Sequence, residues 1–461
     1  MPRWRMLCPY LGNVLLFIGI AHLVPIMFSL LVRENLLFIL ALVSIALIST
    51  VLGYYLRKIG TPGEIGVVDA YYIMLLSFLI PGLLFALPAI ANGIDPLNAV
   101  FEGVSAITTT GLSSIPVEKV TLGIHFLRSY YQWLGGIGIA LLVLSFMLAP
   151  GTAAHSIYVA HMGKYRISPL STATIRIVVT VYTIFTVIFI LVYVLSGMPI
   201  IDALTNALTT ISTGGFSRIA VFQDNYLLAT LPLMFISAQP LAIYYLLLHG
   251  SKRRIARDPQ LASFTVFVII GFLLLVLAIR KVGLELLFQV VSALSTTGYT
   301  ALDNSTLPDS AKYVLAILMI IGAGFGSSGG GLKQLRLILL LKALASRIKK
   351  SLLPPDAVVA IHFNGKRISE DEVVMAYFLV LVYILVLIAS TYIITLYGYS
   401  LADSFFEASS ALATTGLSVG ISSPALDPIP KTVLIINMLL GRVEIVPFII
   451  VLSDIVYRWR K

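Results

Sequence analysis

One cysteine, Cys8, is all the thiol that 461 residues provide. A single thiol excludes an internal disulfide and any CxxC redox or metal motif. Charge is scarce too: Asp, Glu, Lys and Arg make up 11% of the chain, against about 25% in water-soluble domains. The six histidines (His22, His125, His155, His161, His249 and His362) show no HExxH or other ligand spacing and read as loop or interfacial residues. No Ser/His/Asp constellation is recognisable, and nothing suggests an enzyme. What is present in excess is apolar surface, 59% of residues, with a mean hydropathy of +0.99. That balance identifies an all-α polytopic membrane protein whose first partner is the lipid bilayer. The net charge of +10 is spread in short clusters between apolar runs, as membrane topology requires. Nucleic-acid binding would need a soluble basic face with interleaved aromatics, so no nucleic-acid partner is expected.

Apolar stretches long enough to cross lie at about 11–31, 35–57, 67–91, 124–149, 175–197, 225–249, 262–281, 311–341, 372–397 and 430–457, ten candidate spans. The first follows Arg3 and Arg5, lacks a small-residue cleavage pattern and is expected to be retained. Four shorter apolar segments, 96–108, 201–212, 284–296 and 401–413, stand between spans. Each is too short to cross and reads as a re-entrant pore helix. With the N-terminus in the cytoplasm, nineteen Lys and Arg fall in inside loops. Seven fall outside: Arg33, Lys119, Arg218, Arg280, Lys281, Lys312 and Lys431. The positive-inside bias therefore places both termini in the cytoplasm.

Each short segment runs into a nearly identical turn. Residues 108–113 read TTTGLS, 212–217 STGGFS, 295–300 STTGYT and 413–418 ATTGLS, aligning Gly111, Gly215, Gly298 and Gly416. Six residues before each glycine stands Ser105, Thr209, Ser292 or Ser410. The orientation puts all four turns on the extracellular side. Glycine adopts positive φ without steric cost and lets neighbouring carbonyls point at an axis. A ring of such carbonyls can replace the hydration shell of a monovalent cation. The expected organisation is two N-terminal spans (1–60), pore repeat 1 (61–150), repeat 2 (151–250), repeat 3 (251–345), a cytoplasmic hairpin (346–371) and repeat 4 (372–461).

Three further features stand out. Residues 322–331 read GAGFGSSGGG, six glycines in ten positions. Each interior glycine costs a helix about 1 kcal/mol relative to Ala, so the expected span should break there. The spacing fails as a phosphate-binding loop, because Leu332 stands where Lys is needed. Arg442 and Glu444 lie within the last span, either as a pair joining helices or with Arg442 as a barrier in a conduction path. Arg128 is expected to pair with Glu102 or Glu407. Asp202, Asp403, Glu102 and Glu407 are expected near short-helix N-termini, where they favour the dipole or gather cations at the mouth.

The chain resembles the Trk/Ktr/HKT superfamily of potassium transporters along essentially its whole length, and most of all the Trk-type membrane subunits. The marks are Arg128 followed by Gln132-Trp133-Leu134-Gly135-Gly136-Ile137-Gly138-Ile139, the four turns, the segment 322–336 and Gly441-Arg442-Val443-Glu444. The resemblance implies potassium sites formed by Thr109, Thr110 and Gly111, by Thr213, Gly214 and Gly215, by Thr296, Thr297 and Gly298, and by Thr414, Thr415 and Gly416. K⁺ is the transported ion and no other cofactor is implied. In the superfamily, serine at the first filter glycine accompanies sodium permeation; Gly111 favours potassium. The resemblance also implies a gate formed by Gly324, Gly326, Gly329, Gly330 and Gly331 with Lys333 and Arg442. It further implies a homodimer in the cell membrane and a cytosolic, TrkA-like ring of nucleotide-binding regulatory subunits. The expected function is gated K⁺ uptake, the alternative being a K⁺/H⁺ or K⁺/Na⁺ coupled secondary transporter.

Overall fold

The computed structural model describes residues 4–61, 66–116, 120–142, 172–241, 243–244, 258–354, 359–363, 366–368 and 370–459. Arg3, Lys119, Lys164, Arg166, Lys252, Arg253, Arg254, Arg257, Arg460 and Lys461 of the charge count lie outside these residues, as do His155, His161 and His249. The helices run in order α1 (Trp4–Ala21), α2 (Leu23–Leu31), α3 (Leu36–Ile59), α4 (Val67–Ala91), α5 (Pro96–Ile107), α6 (Leu122–Leu142), α7 (Thr172–Leu195), α8 (Ile200–Ile211) and α9 (Asp224–Ser237). They continue with α10 (Pro259–Ile279), α11 (Leu284–Ser295), α12 (Asp309–Ile321), α13 (Gln334–Ser351), α14 (Glu370–Thr395), α15 (Leu401–Leu412), α16 (Pro428–Val443) and α17 (Ile445–Trp459). A two-residue antiparallel ladder, β1 (His362–Phe363) with β2 (Lys366–Arg367), and a 3-10 turn at Asn304–Thr306 complete the described regular structure.

Six of these helical stretches are long and apolar enough to cross a bilayer: Trp4–Leu31, α3, α4, Arg176–Leu195, α10 and α14. Their outward faces carry large exposed apolar side chains such as Leu31, Leu36, Leu277 and Leu381. Contiguous apolar surface of this kind is incompatible with water and suits lipid. The interior faces pack into a main core through Phe38, Phe85, Tyr182, Phe264, Leu315 and Leu434, with a smaller cluster of Leu15, Ile18 and Ile45 between α1 and α3. Small residues let α1 and α3 approach closely: a β-carbon added to Gly12 would lie 2.7 Å from the Gly53 carbonyl oxygen.

Three expected spans are not continuous helices. The stretch 430–457 divides into α16 and α17, which meet at 108°. Pro447 explains the break, since its ring has no N–H to donate and would strike the carbonyl four residues back, that of Val443. Glu444 takes φ +67° at the corner. The stretch 225–249 is helical as α9 only to Ser237, and the chain turns at Ala238–Gln239 ahead of Pro240; its last five residues lie outside those described. The expected span 311–341 breaks as its glycines require, into α12 and α13 with an irregular segment at 322–333. Of the expected span 124–149, residues after Leu142 lie outside those described.

Candidate ion-conducting site

The four short helices α5, α8, α11 and α15 are each twelve residues long. Asp95 starts α5, its carboxylate accepting from Leu97 N and Asn98 N, and Pro96 fits the first helical position. Ser400 caps α15 through Asp403 N. All four end alike, in a paired backbone motif that normally uses glycine in the left-handed conformation. Thr110 N donates to Ser105 O, Gly214 N to Thr209 O, Thr297 N to Ser292 O and Thr415 N to Ser410 O. Thr109, Thr213, Thr296 and Thr414 donate to the carbonyls three residues back. These four threonines take φ of +53°, +54°, +55° and +49°. A left-handed residue with a β-carbon costs roughly 1–2 kcal/mol. The same strained conformation at four matching positions marks a constrained site. The aligned residues six before each glycine thus supply the carbonyls that close the helix ends.

The next glycines take φ of +85°, +77°, +81° and +96° at Gly111, Gly215, Gly298 and Gly416. Their surroundings close on themselves. A β-carbon on Gly111 would lie 2.0 Å from Gly214 O, on Gly215 2.0 Å from Thr297 O, on Gly298 1.9 Å from Thr415 O, and on Gly416 2.3 Å from Thr110 O. Each segment therefore abuts the carbonyl of the following one, and the fourth abuts the first. Gly111, Gly215, Gly298 and Gly416 together line a cavity of about 390 Å³ with Ser113, Tyr299 and Ser418. Thr109, Thr110, Thr213, Thr296, Thr297, Thr414 and Thr415 are all buried. The hydroxyls of Thr109, Thr414 and Thr415 have no protein partner, so oxygen donors suited to a desolvated monovalent cation are present.

Nine residues before each glycine lies a further matched position: Glu102, Asn206, Gln289 and Glu407. Glu102 accepts from Ser114 N at 2.7 Å, Gln289 from Ala301 N at 3.1 Å, and Glu407 from Val419 N at 3.1 Å and Ser422 N at 3.0 Å. Glu102 and Glu407 are fully buried in mid-helix. This corrects the expectation that they sit at helix N-termini or at the mouth; of the four acids, only Asp202 and Asp403 lie in first turns. Glu102, Gln289 and Glu407 hold the chain that leaves the first, third and fourth turns, whereas Asn206 Oδ1 has no partner among the described residues. Arg128 pairs with Glu102 at 3.4 Å and lies over the Phe216 ring at 4.5 Å, joining the first segment to the second.

The glycine-rich segment lies against the helix-side ends of these turns. Ser328 Oγ donates to Ile211 O at 2.9 Å and Gly330 N to Thr296 Oγ1 at 2.7 Å. A β-carbon on Gly330 would lie 2.0 Å from Ala413 O, and one on Gly329 2.4 Å from Ala323 Cβ, so the approach admits no side chain. The segment's freed backbone groups are satisfied from around it, as buried irregular chain requires. Gly324 N donates to Ala238 O, Leu241 N to Gly326 O and Gln334 Nε2 to Gly322 O. Gly331 takes φ +76° beside Gly322, and Lys333 Nζ donates to Gly329 O. Buried Arg442 donates to Ser328 O at 2.6 Å and to Gly135 O at 2.8 Å, tying the segment to α6. Glu444 does not pair with Arg442; its two oxygens accept from Arg336 Nη2 at 2.8 and 2.7 Å. The residues singled out by sequence thus converge in two layers, a ring of turns and a loop closing one side of it. Sequence reasoning missed the roles of Gln132 and Gln289. Counting back nine positions from each glycine would have found Gln289.

Comparison with known proteins agrees with this geometry. The model of the cation transport protein family TrkH matches residues 83–287 and 278–456. An uncharacterized cation transporter of Methanocaldococcus jannaschii is 30% identical over 97% of this chain and 95% of its own. The Trk system potassium uptake protein TrkH of Halomonas elongata is 27% identical over 99% of each chain. The crystal structure of the potassium transporter TrkH from Vibrio parahaemolyticus superposes with a TM-score of 0.85 at 25% identity, covering 98% of this chain and 99% of that one. With apolar helices fit to cross a bilayer and a family match spanning both halves of its ring of turns, the chain is a multi-pass membrane protein that belongs to the TrkH family of cation transport proteins.

Proposed function

We propose that this protein carries K⁺ into the cell through a pore formed by four pseudo-repeats, with Thr109–Gly111, Thr213–Gly215, Thr296–Gly298 and Thr414–Gly416 as its selectivity filter. The observation that carries this is the closed cycle of glycine-to-carbonyl approaches, which makes four distant segments one ring. The relatives named for potassium uptake supply the ion. In this reading α5, α8, α11 and α15 are re-entrant pore helices whose carbonyl ends favour a cation within the ring. The chain crosses the membrane ten times with both termini in the cytoplasm, and residues 322–333 with Arg442 form the gate. Inward movement needs no coupled ion, since the membrane potential contributes roughly 2.3 kcal/mol per charge per 100 mV. A homodimer and a TrkA-like nucleotide-binding ring on the basic inside loops complete the assembly by resemblance. Coupling to H⁺ or Na⁺ is the rival. It requires a carboxylate free to load and unload, whereas Glu102 and Glu407 are engaged by backbone N–H groups. Reversal potentials of the purified chain in liposomes separate the two. They should follow the K⁺ gradient alone, and a dependence on the proton or sodium gradient would establish coupling.

A further inference from the structure

The second turn departs from the other three at one residue, Gly214, where Thr110, Thr297 and Thr415 stand in its counterparts. Backbone conformation does not explain this glycine, because its φ lies outside the left-handed region while that of Gly215 is +77°. A neighbour explains it. A β-carbon on Gly214 would lie 2.3 Å from Gln132 Cδ, 2.5 Å from its Oε1 and 2.7 Å from its Nε2. Gln132, on α6 of the preceding repeat, is fully buried. Its Nε2 donates to Gly214 O at 2.5 Å, and its Oε1 accepts from Phe216 N at 3.2 Å. Only this orientation of the amide pairs both ends, so the assignment follows from the network. The side chain therefore grips the backbone on both sides of Gly215.

Two of the other corners are braced within their own segments, while at the fourth the Thr415 hydroxyl has no protein partner. Thr110 Oγ1 lies 2.8 Å from Thr108 Oγ1, and Thr297 Oγ1 lies 2.7 Å from Ser295 Oγ, each within its own segment. Among the described residues, no side chain donates to Thr110 O, Thr297 O or Thr415 O. Gly214 O is thus the one carbonyl of this layer that shares its lone pairs with a protein donor. We infer that Gln132 is a positioning residue for ion selectivity, standing in for the missing threonine and holding the Gly214 carbonyl at the second corner of the ring. Fixed from behind, that carbonyl cannot swing to follow a smaller ion, and its reduced free electron density lowers the field at one corner. Gly214 and Gln132 form an exchangeable pair, in which the glutamine can be present only where the threonine is absent.

This rests on the ring being the conduction path, and a cycle of variants tests both. Wild-type chain in liposomes should show K⁺-selective reversal potentials under a KCl/NaCl gradient; absence of selective flux would remove the underlying reading. Gln132→Met keeps the volume but lacks the amide. It should lower the K⁺/Na⁺ permeability ratio by about fivefold, the scale of one lost hydrogen bond. Gly214→Thr should lower it further through collision with Gln132. Gln132→Ala alone should lower it at least as far as Gln132→Met, and Gln132→Ala combined with Gly214→Thr should recover the ratio to within about twofold of wild type, a non-additivity expected only of coupled neighbours. Thermal unfolding of each detergent-solubilised variant separates selectivity from stability. The inference is overturned if Gln132→Met keeps the wild-type ratio, or if the double variant is no better than the two single effects combined.

Discussion

Thr109, Thr213, Thr296 and Thr414 hold a conformation that a β-branched residue disfavours, and the glycines two residues on hold one that only glycine accepts readily. The two kinds of constraint have different consequences for substitution. At Gly111 a β-carbon meets Gly214 O, so Gly111→Ser cannot enter without moving the neighbouring corner. Gly111→Ser should raise Na⁺ permeability relative to K⁺ several-fold, as bi-ionic reversal potentials would register; an unchanged ratio would deny Gly111 a selective role. These residues were legible in the sequence because their spacing repeats within each segment. The grip of Gln132 on Gly214 was not, because the partners are 82 positions apart and share no pattern. Glu102 and Glu407 were seen but misplaced. A carboxylate in an apolar chain suggests a helix terminus or a mouth, and local sequence does not show that backbone N–H groups fold back to meet it.

Three helices stop where the apolar sequence runs on. α9 ends before Pro240, α12 before Gly322 and α16 before Glu444, while α6 runs from Leu122 to Leu142. The glycine break was legible from composition, since six glycines cannot sustain a helix. The other two had a signal that hydropathy ignores, a proline inside an apolar run. The breaks are joined to one another: Ala238 O accepts from Gly324 N, and Arg442 beside the third break holds Ser328 O. If the segment 322–333 obstructs the path, deleting Gly326–Ser328 should increase K⁺ flux into liposomes, and Arg442→Ala should increase it too by freeing Ser328 and Gly135. A loss of flux with normally folded protein would make both features structural supports instead.

For the molecule as a whole, composition settled the solvent before any motif was considered. The exposed leucines of α3 and α10 require lipid as the buried ones of α12 require protein. Orientation rests on charge asymmetry, and many of the cations that decide it lie in the loops beyond the described residues. It can be checked at exposed positions on a Cys8→Ser background, Cys8 being the sole native thiol. Ser305→Cys, in the turn at Asn304–Thr306, should react with an impermeant maleimide on intact cells. Ser351→Cys, at the end of α13, should react only after permeabilisation. The reverse pattern would invert the assigned topology.

The glycine-to-carbonyl cycle has a sense of rotation, first to second to third to fourth and back, the same as the order of the chain. Its perimeter is consequently an inextensible loop of interlocked corners. Widening at any one corner must be absorbed by its successor, and a single bulky residue anywhere on the circuit is felt at all four. A tetramer of identical subunits would have to make every such compromise four times over. A single polypeptide can confine it to one corner, and this chain has done so at the second, where a glycine and a borrowed glutamine replace a threonine.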